Sequence, residues 1–281
     1  MTNYAFFDIH SHLHDKAFKP DLEEVISEMK EKGFGTITVG TGLKESRDAL
    51  ALADAQPNIF ATIGLHPADN PLEVYDEDAY MKLAKHEKVV AIGECGLDYY
   101  AVETFFEKEK AEKGITWSTE EERERQRKIF QKQIDLAVEV GKPLMLHGRP
   151  TKGSMDAYED MLSMLENAKK IHGDKLKGNA HFFVGNIDIA KRFIDIDFTL
   201  SFSGVITFAH DYDDVVRYTP LHMIHAETDS PYATPAPFRG KRNTPLMVQE
   251  VVARISVLRQ EPFEEVRLQL LENAKRVFNL K

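Results

Sequence analysis

The segment Asp8-Ile9-His10-Ser11-His12 ends the first apolar run of the chain with two histidines spaced two residues apart. Four later apolar runs also end in side chains that bind metals, at Gly93-Glu94-Cys95-Gly96, Leu146-His147-Gly148-Arg149, His181 and Glu227-Thr228-Asp229-Ser230-Pro231. In a barrel of parallel strands, the carboxyl ends of all the strands meet at one mouth. The pattern therefore predicts a barrel that holds a metal centre at one mouth.

Short apolar runs alternate with segments of helical spacing along the whole chain. They give eight strand candidates, at residues 5–10, 36–39, 60–65, 89–94, 143–147, 179–183, 198–203 and 223–227. Alternation of strands and helices indicates parallel strands joined by right-handed crossovers. Eight such units predict an α/β fold, a (β/α)₈ TIM barrel, and an open doubly wound sheet is the alternative.

Two features lie outside the regular strand and helix units. Residues 245–258 and 264–278 are predicted to form two further amphipathic helices that cover the outside of the barrel. Residues 101–118 are predicted to be an insertion after the fourth strand, because residues 103–114 are rich in Glu and Lys. We interpret it as an exposed loop that either overhangs the site or is simply solvated. Ser118 and Glu121 are spaced as a capping box for the following helix. Residues 1–281 are expected to form a single domain.

Composition limits the kinds of partner and compartment. The formal net charge of −10 argues against a wide basic surface that grips duplex DNA, although bound cations would reverse the charge locally. We find neither a basic leader nor an apolar stretch of about 18 residues, so we expect a soluble protein with no membrane association. The single cysteine, Cys95, agrees with a reducing, cytoplasmic location, and we interpret it as a small buried residue.

The candidate ligands are imidazoles and carboxylates. His10 and His12 share one strand face, and Asp8 is expected on the same face one step deeper. The full set of candidates is His10, His12, Glu94, His147, His181 and Asp229. Any one of them alone could be a packed core residue, but five coincidences at the strand ends of one barrel favour metal binding. Four histidines and two carboxylates exceed one tetrahedral shell, so two divalent ions (Mg, Mn or Zn) and a hydrolytic reaction are predicted.

Several motifs resemble those of the TatD family of metal-dependent deoxyribonucleases, across nearly the whole chain and in order. They are Phe7-Asp8-Ile9-His10-Ser11-His12-Leu13, Gly64-Leu65-His66-Pro67, Ile92-Gly93-Glu94-Cys95-Gly96-Leu97-Asp98-Tyr99-Tyr100, Glu227-Thr228-Asp229-Ser230-Pro231-Tyr232 and Arg239-Gly240-Lys241-Arg242-Asn243. The resemblance implies a TIM barrel of the amidohydrolase-like superfamily. It also implies that His10, His12 and Asp229 hold one ion, that His147 and His181 hold the other, and that Glu94 bridges them.

The resemblance further implies a division of roles among the remaining site residues. Asp229 would orient or deprotonate the attacking water, so Asp229 and Glu94 are the candidate catalytic carboxylates. His66, Arg149, Arg239 and Arg242, with Lys241, are the candidates for binding the phosphates of the substrate. The family usually carries His-Cys-Phe-Ser-Gly where this chain has His181-Phe182-Phe183-Val184-Gly185. The ligand His181 is kept, and the bulkier apolar side chains beside it predict a pocket of altered shape.

Three functions remain open at this level. The first is a 3′ to 5′ deoxyribonuclease that acts on DNA ends or short nucleic acids and needs no protein partner. It is favoured because Glu94 stands where deacylating relatives carry a modified lysine. The second is an amide, ester or small phosphoester hydrolase, and the third is a scaffold with an idle site. His14, His86, His172, His210 and His222 are expected on surfaces or helices, and His225 in the core, with a secondary role near Asp229 as the alternative.

Overall fold

Each strand of the sheet pairs in parallel with the strand next to it in sequence, so the order in the sheet follows the order in the chain. The computed structural model describes residues 4–280. The strands are β1 Phe6–Ser11, β2 Phe34–Val39, β3 Ile59–Ile63, β4 Val89–Asp98, β5 Leu144–Arg149, β6 Gly178–His181, β7 Phe198–Phe202 and β8 Ile224–Ala226. Sequential order around a ring is that of a TIM barrel, since a doubly wound sheet reverses its order at a switch point.

The barrel closes where the chain following β8 meets β1. Ser11 and Ser230 form a parallel bridge. The backbone N–H of Asp229 donates to the carbonyl of His10 at 2.9 Å, and that of His12 donates to the carbonyl of Ser230 at 2.7 Å. The first and last strands are thus joined by the backbone of residues that carry candidate metal ligands.

Helices surround the sheet and connect its strands. They are α1 Leu22–Glu31, α2 Leu43–Ala55, α3 Glu77–Ala84, α4 Tyr99–Thr104, α5 Phe106–Lys113, α6 Thr119–Val140, α7 Asp156–His172, α8 Ile187–Asp195, α9 Asp213–Tyr218, α10 Val248–Arg259 and α11 Phe263–Phe278. The predicted capping box is confirmed at the start of α6, where Ser118 Oγ accepts from the N–H of Glu121 and Glu121 Oε2 accepts from the N–H of Ser118. Gly141, at a φ of 67°, ends this helix in the left-handed conformation that suits glycine.

The two predicted C-terminal helices are α10 and α11, with a short 3₁₀ turn, Pro245–Met247, before α10. They do more than cover the outside of the barrel. Val277 and Phe278 of α11 belong to the same buried apolar cluster as Phe7 and Ile9 of β1. Burying such side chains stabilises the fold by about 1.5–3 kcal/mol each. The end of the chain is therefore part of the packing of the first strand.

The insertion after β4 is largely exposed, as predicted for residues 101–118, but it is helical rather than an irregular loop. It forms α4 and α5, because Val102, Phe106 and Ile115 bury their side chains and leave the Glu and Lys side chains at the surface. Phe106 also packs beside Trp117, with ring centroids 6.5 Å apart. The density of charge hid these three apolar residues, which lie in α4, at the start of α5 and just after α5.

Candidate metal centre

The six predicted ligands converge at the carboxyl ends of the strands. His10 lies in β1, Glu94 in β4 and His147 in β5, His181 ends β6, and His12 and Asp229 follow β1 and β8. All of them except the fully buried His10 line a cavity of about 970 Å³ at the mouth of the barrel. The residues named from sequence are thus brought together by the fold.

Glu94 lies at the middle of this group, and its two carboxylate oxygens face different imidazoles. Oε2 lies 3.5 Å from His10 Nε2 and 3.8 Å from His12 Nε2. Oε1 lies 2.9 Å from His147 Nδ1 and 3.1 Å from His181 Nε2. One carboxylate therefore contacts two separate pairs of histidines, one with each oxygen.

Asp229 completes the side of the site formed by β1. Its Oδ1 lies 3.4 Å from His12 Nε2 and 3.7 Å from His10 Nε2. Its backbone, with a φ of 54°, is in the left-handed region and is held by the hydrogen bond to the carbonyl of His10. The carboxylate is partly open to the cavity, since its side chain is 17% exposed.

Two glycines determine where Glu94 lies. The sequence predicts that Glu94 ends the fourth strand, but this prediction is wrong, because β4 continues to Asp98. The register between β4 and β5 shifts between Ile92 and Cys95. Gly93 and Gly96 both have positive φ, and a Cβ on either would collide with a backbone carbonyl of β5. Glycine at these positions lets the strand continue with its backbone close to β5 and the Glu94 side chain among the histidines.

The charges of the site stabilise one another. Burial alone would raise the pKa of Glu94, but the surrounding imidazoles hold it well below its usual range. Burial would lower the pKa of His12, yet Asp229 and Glu94 raise it to about 8. In the same way, Asp98 and Glu94 overcome burial and raise the pKa of His147 to about 9. The carboxylates are thus ionised at neutral pH and can bind cations.

The donor set fits a divalent metal. His10 Nε2 and His12 Nε2 lie 3.3 Å apart, and three groups of donor atoms lie within 4.8 Å of one another. The groups are His10 with His181 and Asp229, His10 with His12 and Glu94, and His66 with Glu94 and His147. Bonds of about 2.0–2.2 Å place neighbouring ligands roughly 3.0–3.6 Å apart, close to the separations around His10 and His12. Cys95 takes no part, because its thiol contacts the carbonyls of Ile92 and Met145.

Two buried carboxylates that sequence analysis did not select support the histidines from behind. Asp98 Oδ2 lies 3.1 Å from His147 Nε2, and Glu227 Oε1 lies 3.2 Å from His181 Nδ1. Glu227 also accepts hydrogen bonds from the N–H of Phe182 and from Ser201 Oγ. Carboxylates of this kind orient ligating imidazoles and raise their basicity. Both residues stand in the quoted motifs, four after Glu94 and two before Asp229, which is the signal that could have identified them.

Two other expectations about residues near the ligands need correction. Asp8 is not among the metal-type groups; its carboxylate accepts from the N–H and Oγ1 of Thr228, which joins β1 to the segment after β8. The pairing of β1 with β2 shifts register after Asp8, so simple alternation does not extend to it. His14 was expected at the surface, but it lines the cavity, contacts Thr38 Oγ1 at 2.8 Å and has a pKa lowered to about 4 by burial.

The four candidates for substrate binding divide into two pairs. His66 and Arg149 line the cavity, whereas Arg239 and Arg242 are not among its lining residues. Arg242 forms a bidentate ion pair with Asp21, at 2.6 and 2.8 Å. Arg239 donates to the carbonyl of Thr234 and lies over the ring of Phe208. Arg239 and Arg242 are therefore engaged in contacts within the protein itself.

Two further histidines illustrate how burial and position decide a role. His66 pairs its Nδ1 with Asp69 at 2.8 Å and presents Nε2 3.7 Å from Glu94 Oε1. His225 is fully buried and contacts Thr199 Oγ1 and the ring of Phe278, as the core interpretation predicted. Only the first of these two belongs to the site.

Nearly the whole described chain matches a known family. The model of the family described as TatD related DNase matches residues 7–279. The chain belongs to the TatD family. Relatives of the chain are described as metal-dependent hydrolases. One is "Uncharacterized metal-dependent hydrolase YabD" of Bacillus subtilis (strain 168), 38% identical over 279 residues, or 98% of this chain and 99% of the relative. Another is YcfH of Escherichia coli (strain K12), 32% identical over 97% of this chain and 95% of the relative.

The fold agrees with this assignment to the TatD family. The crystal structure of YjjV, a TatD homolog from Escherichia coli K12, superposes with a TM-score of 0.80 at 26% identity and covers 99% of both chains. Within residues 4–280, no helix combines the length and the apolar character that a membrane crossing requires. The protein is thus a metal-dependent hydrolase with a TIM-barrel fold.

Proposed function

We propose that this hydrolase is a deoxyribonuclease that removes nucleotides from the 3′ ends of DNA and that it works with two divalent ions. The observation that carries the proposal is the position of Glu94, whose Oε2 faces His10 and His12 while Oε1 faces His147 and His181. A carboxylate with one oxygen toward each imidazole pair is suited to bridge two ions. The family description, TatD related DNase, supports DNA as the substrate.

The residues present would hold the ions in two sets. His10, His12 and Asp229 would form one set and His147 and His181 the other, with Glu94 common to both. Two ions in such a site stabilise the attacking and leaving oxygens of a phosphoester and lower the pKa of water. Imidazole and carboxylate ligands are compatible with Mg²⁺, Mn²⁺ or Zn²⁺.

The chain itself supplies proton transfer and orientation. Burial would raise the pKa of Asp229, but His12 and the other imidazoles lower it, so the carboxylate is ionised at neutral pH and can accept a proton from water. His66 is oriented by Asp69 and presents Nε2 to the cavity, where it can contact a substrate phosphate. Arg149 offers a second contact with phosphate at the rim of the cavity.

The test is an assay with end-labelled single-stranded DNA, with free or blocked 3′ ends, combined with metal analysis of the purified protein. We expect about two metal equivalents and release of nucleotides from free 3′ ends only. Glu94→Gln should lower kcat/KM by more than about 100-fold, since it removes the charge shared by both imidazole pairs. Glu139→Gln, on the exposed face of α6, is the matched control.

Two results would overturn the proposal. Full activity of Glu94→Gln or His10→Ala would remove the assigned roles. Turnover of a carboxyl ester or amide without any DNA cleavage would instead favour a deacylase. A substrate panel is informative because the apolar side chains of Phe182 and Val184 line the cavity beside His181.

A further inference from the structure

One wall of the cavity is built by the insertion that follows β4. Tyr100 of α4 and Phe105, between α4 and α5, both line the cavity, and their ring centroids lie 5.9 Å apart at an interplanar angle of 69°. Phe105 is 51% exposed, although it stands beside buried Val102 and Phe106. A phenyl ring that faces the site in this way offers an apolar surface to whatever enters.

A guanidinium group extends this wall. Arg149, in the last position of β5, lies with its guanidinium carbon 4.0 Å from the ring centroid of Tyr100. Within residues 4–280 it forms no ion pair, so its charge is available to a ligand. Tyr100, Phe105 and Arg149, which we call the stacking wall, thus combine two aromatic rings with a cationic plane.

The charged side chains of the cavity are unevenly distributed, and the positive ones lie on the side of the stacking wall. Among the described residues that line the cavity, the Lys and Arg side chains are Arg149, which ends β5, and Lys152, which follows it. Asp15, Glu45 of α2 and Asp69 line the part of the cavity formed by the segments after β1, β2 and β3. In a ring of eight strands, β5 lies opposite β1. A polyanion that reaches the metal centre is therefore expected to run along the stacking wall.

The wall is held in place by one arginine of α6. Arg123 donates to Glu103 of α4 at 2.7 Å, to Thr151 Oγ1 at 3.2 Å and to Asp156 at 3.3 Å. Its guanidinium also lies over the ring of Tyr99, 4.3 Å from the centroid. The insertion and the segment after β5 are thus tied to each other, so a ligand would meet a surface that is already ordered.

These features match the chemistry of an unpaired nucleobase. Bases of single-stranded DNA stack on aromatic side chains and on the plane of arginine, whereas bases within a duplex are already stacked and paired. Resting on the proposed function, we infer that the stacking wall receives a base of a single-stranded DNA end while the adjoining phosphate lies at the metal centre.

The test uses a single-stranded oligonucleotide with 2-aminopurine at its 3′ end and cleavage-resistant phosphorothioate linkages, in the presence of Mg²⁺. Stacking quenches 2-aminopurine fluorescence, and anisotropy of a distant dye gives the Kd. We expect wild-type protein to quench the probe and Phe105→Ala to raise the Kd about 5- to 150-fold. Phe105→Tyr should restore binding.

The matched control is Phe208→Ala. Phe208 carries Arg239 over its ring at the same 4.0 Å, is exposed, and does not line the cavity. The Kd of Phe208→Ala for the probe should equal that of wild type. A probe with an abasic residue in place of the terminal base should bind wild type and Phe105→Ala alike, which separates stacking from a general disturbance of the wall.

The outcomes distinguish this inference from the proposed function. If wild type cleaves DNA but Phe105→Ala binds as well as Phe208→Ala, the stacking wall is refuted and the deoxyribonuclease stands. If wild type binds and quenches the probe without cleaving ordinary DNA, the stacking wall stands and the deoxyribonuclease is refuted. If it neither binds nor cleaves, both are refuted.

Discussion

Asp98 connects the metal centre to the insertion through a single carboxylate. Its Oδ1 accepts from the N–H of Ala101 at 2.7 Å and caps α4, while Oδ2 contacts His147. Burial would raise the pKa of Asp98, but the contact with His147 lowers it, so the group is charged at neutral pH. The same side chain therefore orients a candidate ligand and begins the helix that carries Tyr100.

The two tasks of Asp98 can be separated by Asp98→Asn. Asparagine caps helices as well as aspartate does, but it lacks the charge beside His147. Asp98→Asn removes the carboxylate that orients His147, and it also lowers the pKa of His147, which weakens the competition of protons with the metal. We expect the loss of orientation to dominate, so that affinity for Mn²⁺ falls about 10- to 100-fold. Calorimetric titration of metal-free protein measures this. Asp76→Asn, which alters only the cap of α3, should leave metal affinity unchanged; equal loss in both variants would contradict the role.

His225 is expected to make stability depend on pH. Burial and Arg276 lower its pKa from 6.5 to about 3. Below pH 6.5 the unfolded chain therefore takes up a proton that the folded protein refuses, and stability falls as pH decreases toward 3. From this residue we expect a loss of about 2 kcal/mol between pH 7.5 and pH 5.

Urea unfolding of wild type and His225→Gln across this range tests the expectation. Glutamine does not titrate and can still contact Thr199, so the difference between the two proteins isolates the histidine from the others. The wild type should lose stability relative to the variant as pH falls. If the stabilities of the two proteins change in parallel with pH, His225 takes up its proton in the folded protein as readily as in the unfolded chain.

At the scale of single elements, β4 depends on the close approach that Gly96 permits. Gly96 has a φ of 141°, and an added Cβ would meet the carbonyl of His147. Gly114, after α5, also has positive φ, at 67°, but has no described atom within 4 Å of an added Cβ. A substitution at Gly114 therefore tests backbone conformation alone, whereas one at Gly96 tests backbone conformation together with close packing.

Substitution of these glycines by alanine should give unequal losses. We expect Gly96→Ala to lower the free energy of unfolding by about 3 kcal/mol or more, through the collision with β5. Gly114→Ala should cost about 1 kcal/mol, since only the left-handed conformation opposes it. Chemical denaturation of both variants measures the difference, and equal losses would mean that β4 tolerates a side chain at this point.

Most of the barrel could be predicted from the sequence because apolar runs and helical spacing are local signals. The eight strands, the two C-terminal helices and the capping box at Ser118 are all present. The continuation of β4 could not be predicted, since it depends on how closely two backbones approach. The insertion was misread because its Glu and Lys residues masked the buried side chains of Val102 and Phe106.

The site was predictable in its ligands and less so in its surroundings. His10, His12 and Asp229 follow from residue type and from the rule that strand ends share one mouth. The contacts of Asp98 and Glu227 depend on the exact direction of each side chain, which sequence does not reveal. Arg242 is a phosphate-binding candidate because it follows the eighth strand, and its pairing with Asp21 could not be anticipated because the two residues are 221 positions apart in the chain.

For the whole molecule, metal binding is expected to stabilise the fold. The centre draws its ligands from β1, β4, β5, β6 and the segment after β8, so ions would link most of the ring. At a free metal concentration 100 times the Kd, the gain is about 2.7 kcal/mol, which raises Tm by about 5 °C or more in a chain of this size. Thermal melts with EDTA and with Mn²⁺ measure the shift. An equal shift in Glu94→Gln would mean that the ions bind elsewhere.

The seam between β1 and β8 has a consequence for how the protein becomes active during synthesis. His10 and His12 are synthesised more than 200 residues before Asp229 and the backbone that closes the barrel. A nascent chain attached to the ribosome therefore lacks a complete set of ligands until the last strand docks. We therefore expect hydrolytic activity only after the segment that follows β8 has docked on β1, and we expect chains truncated before Asp229 to be inactive.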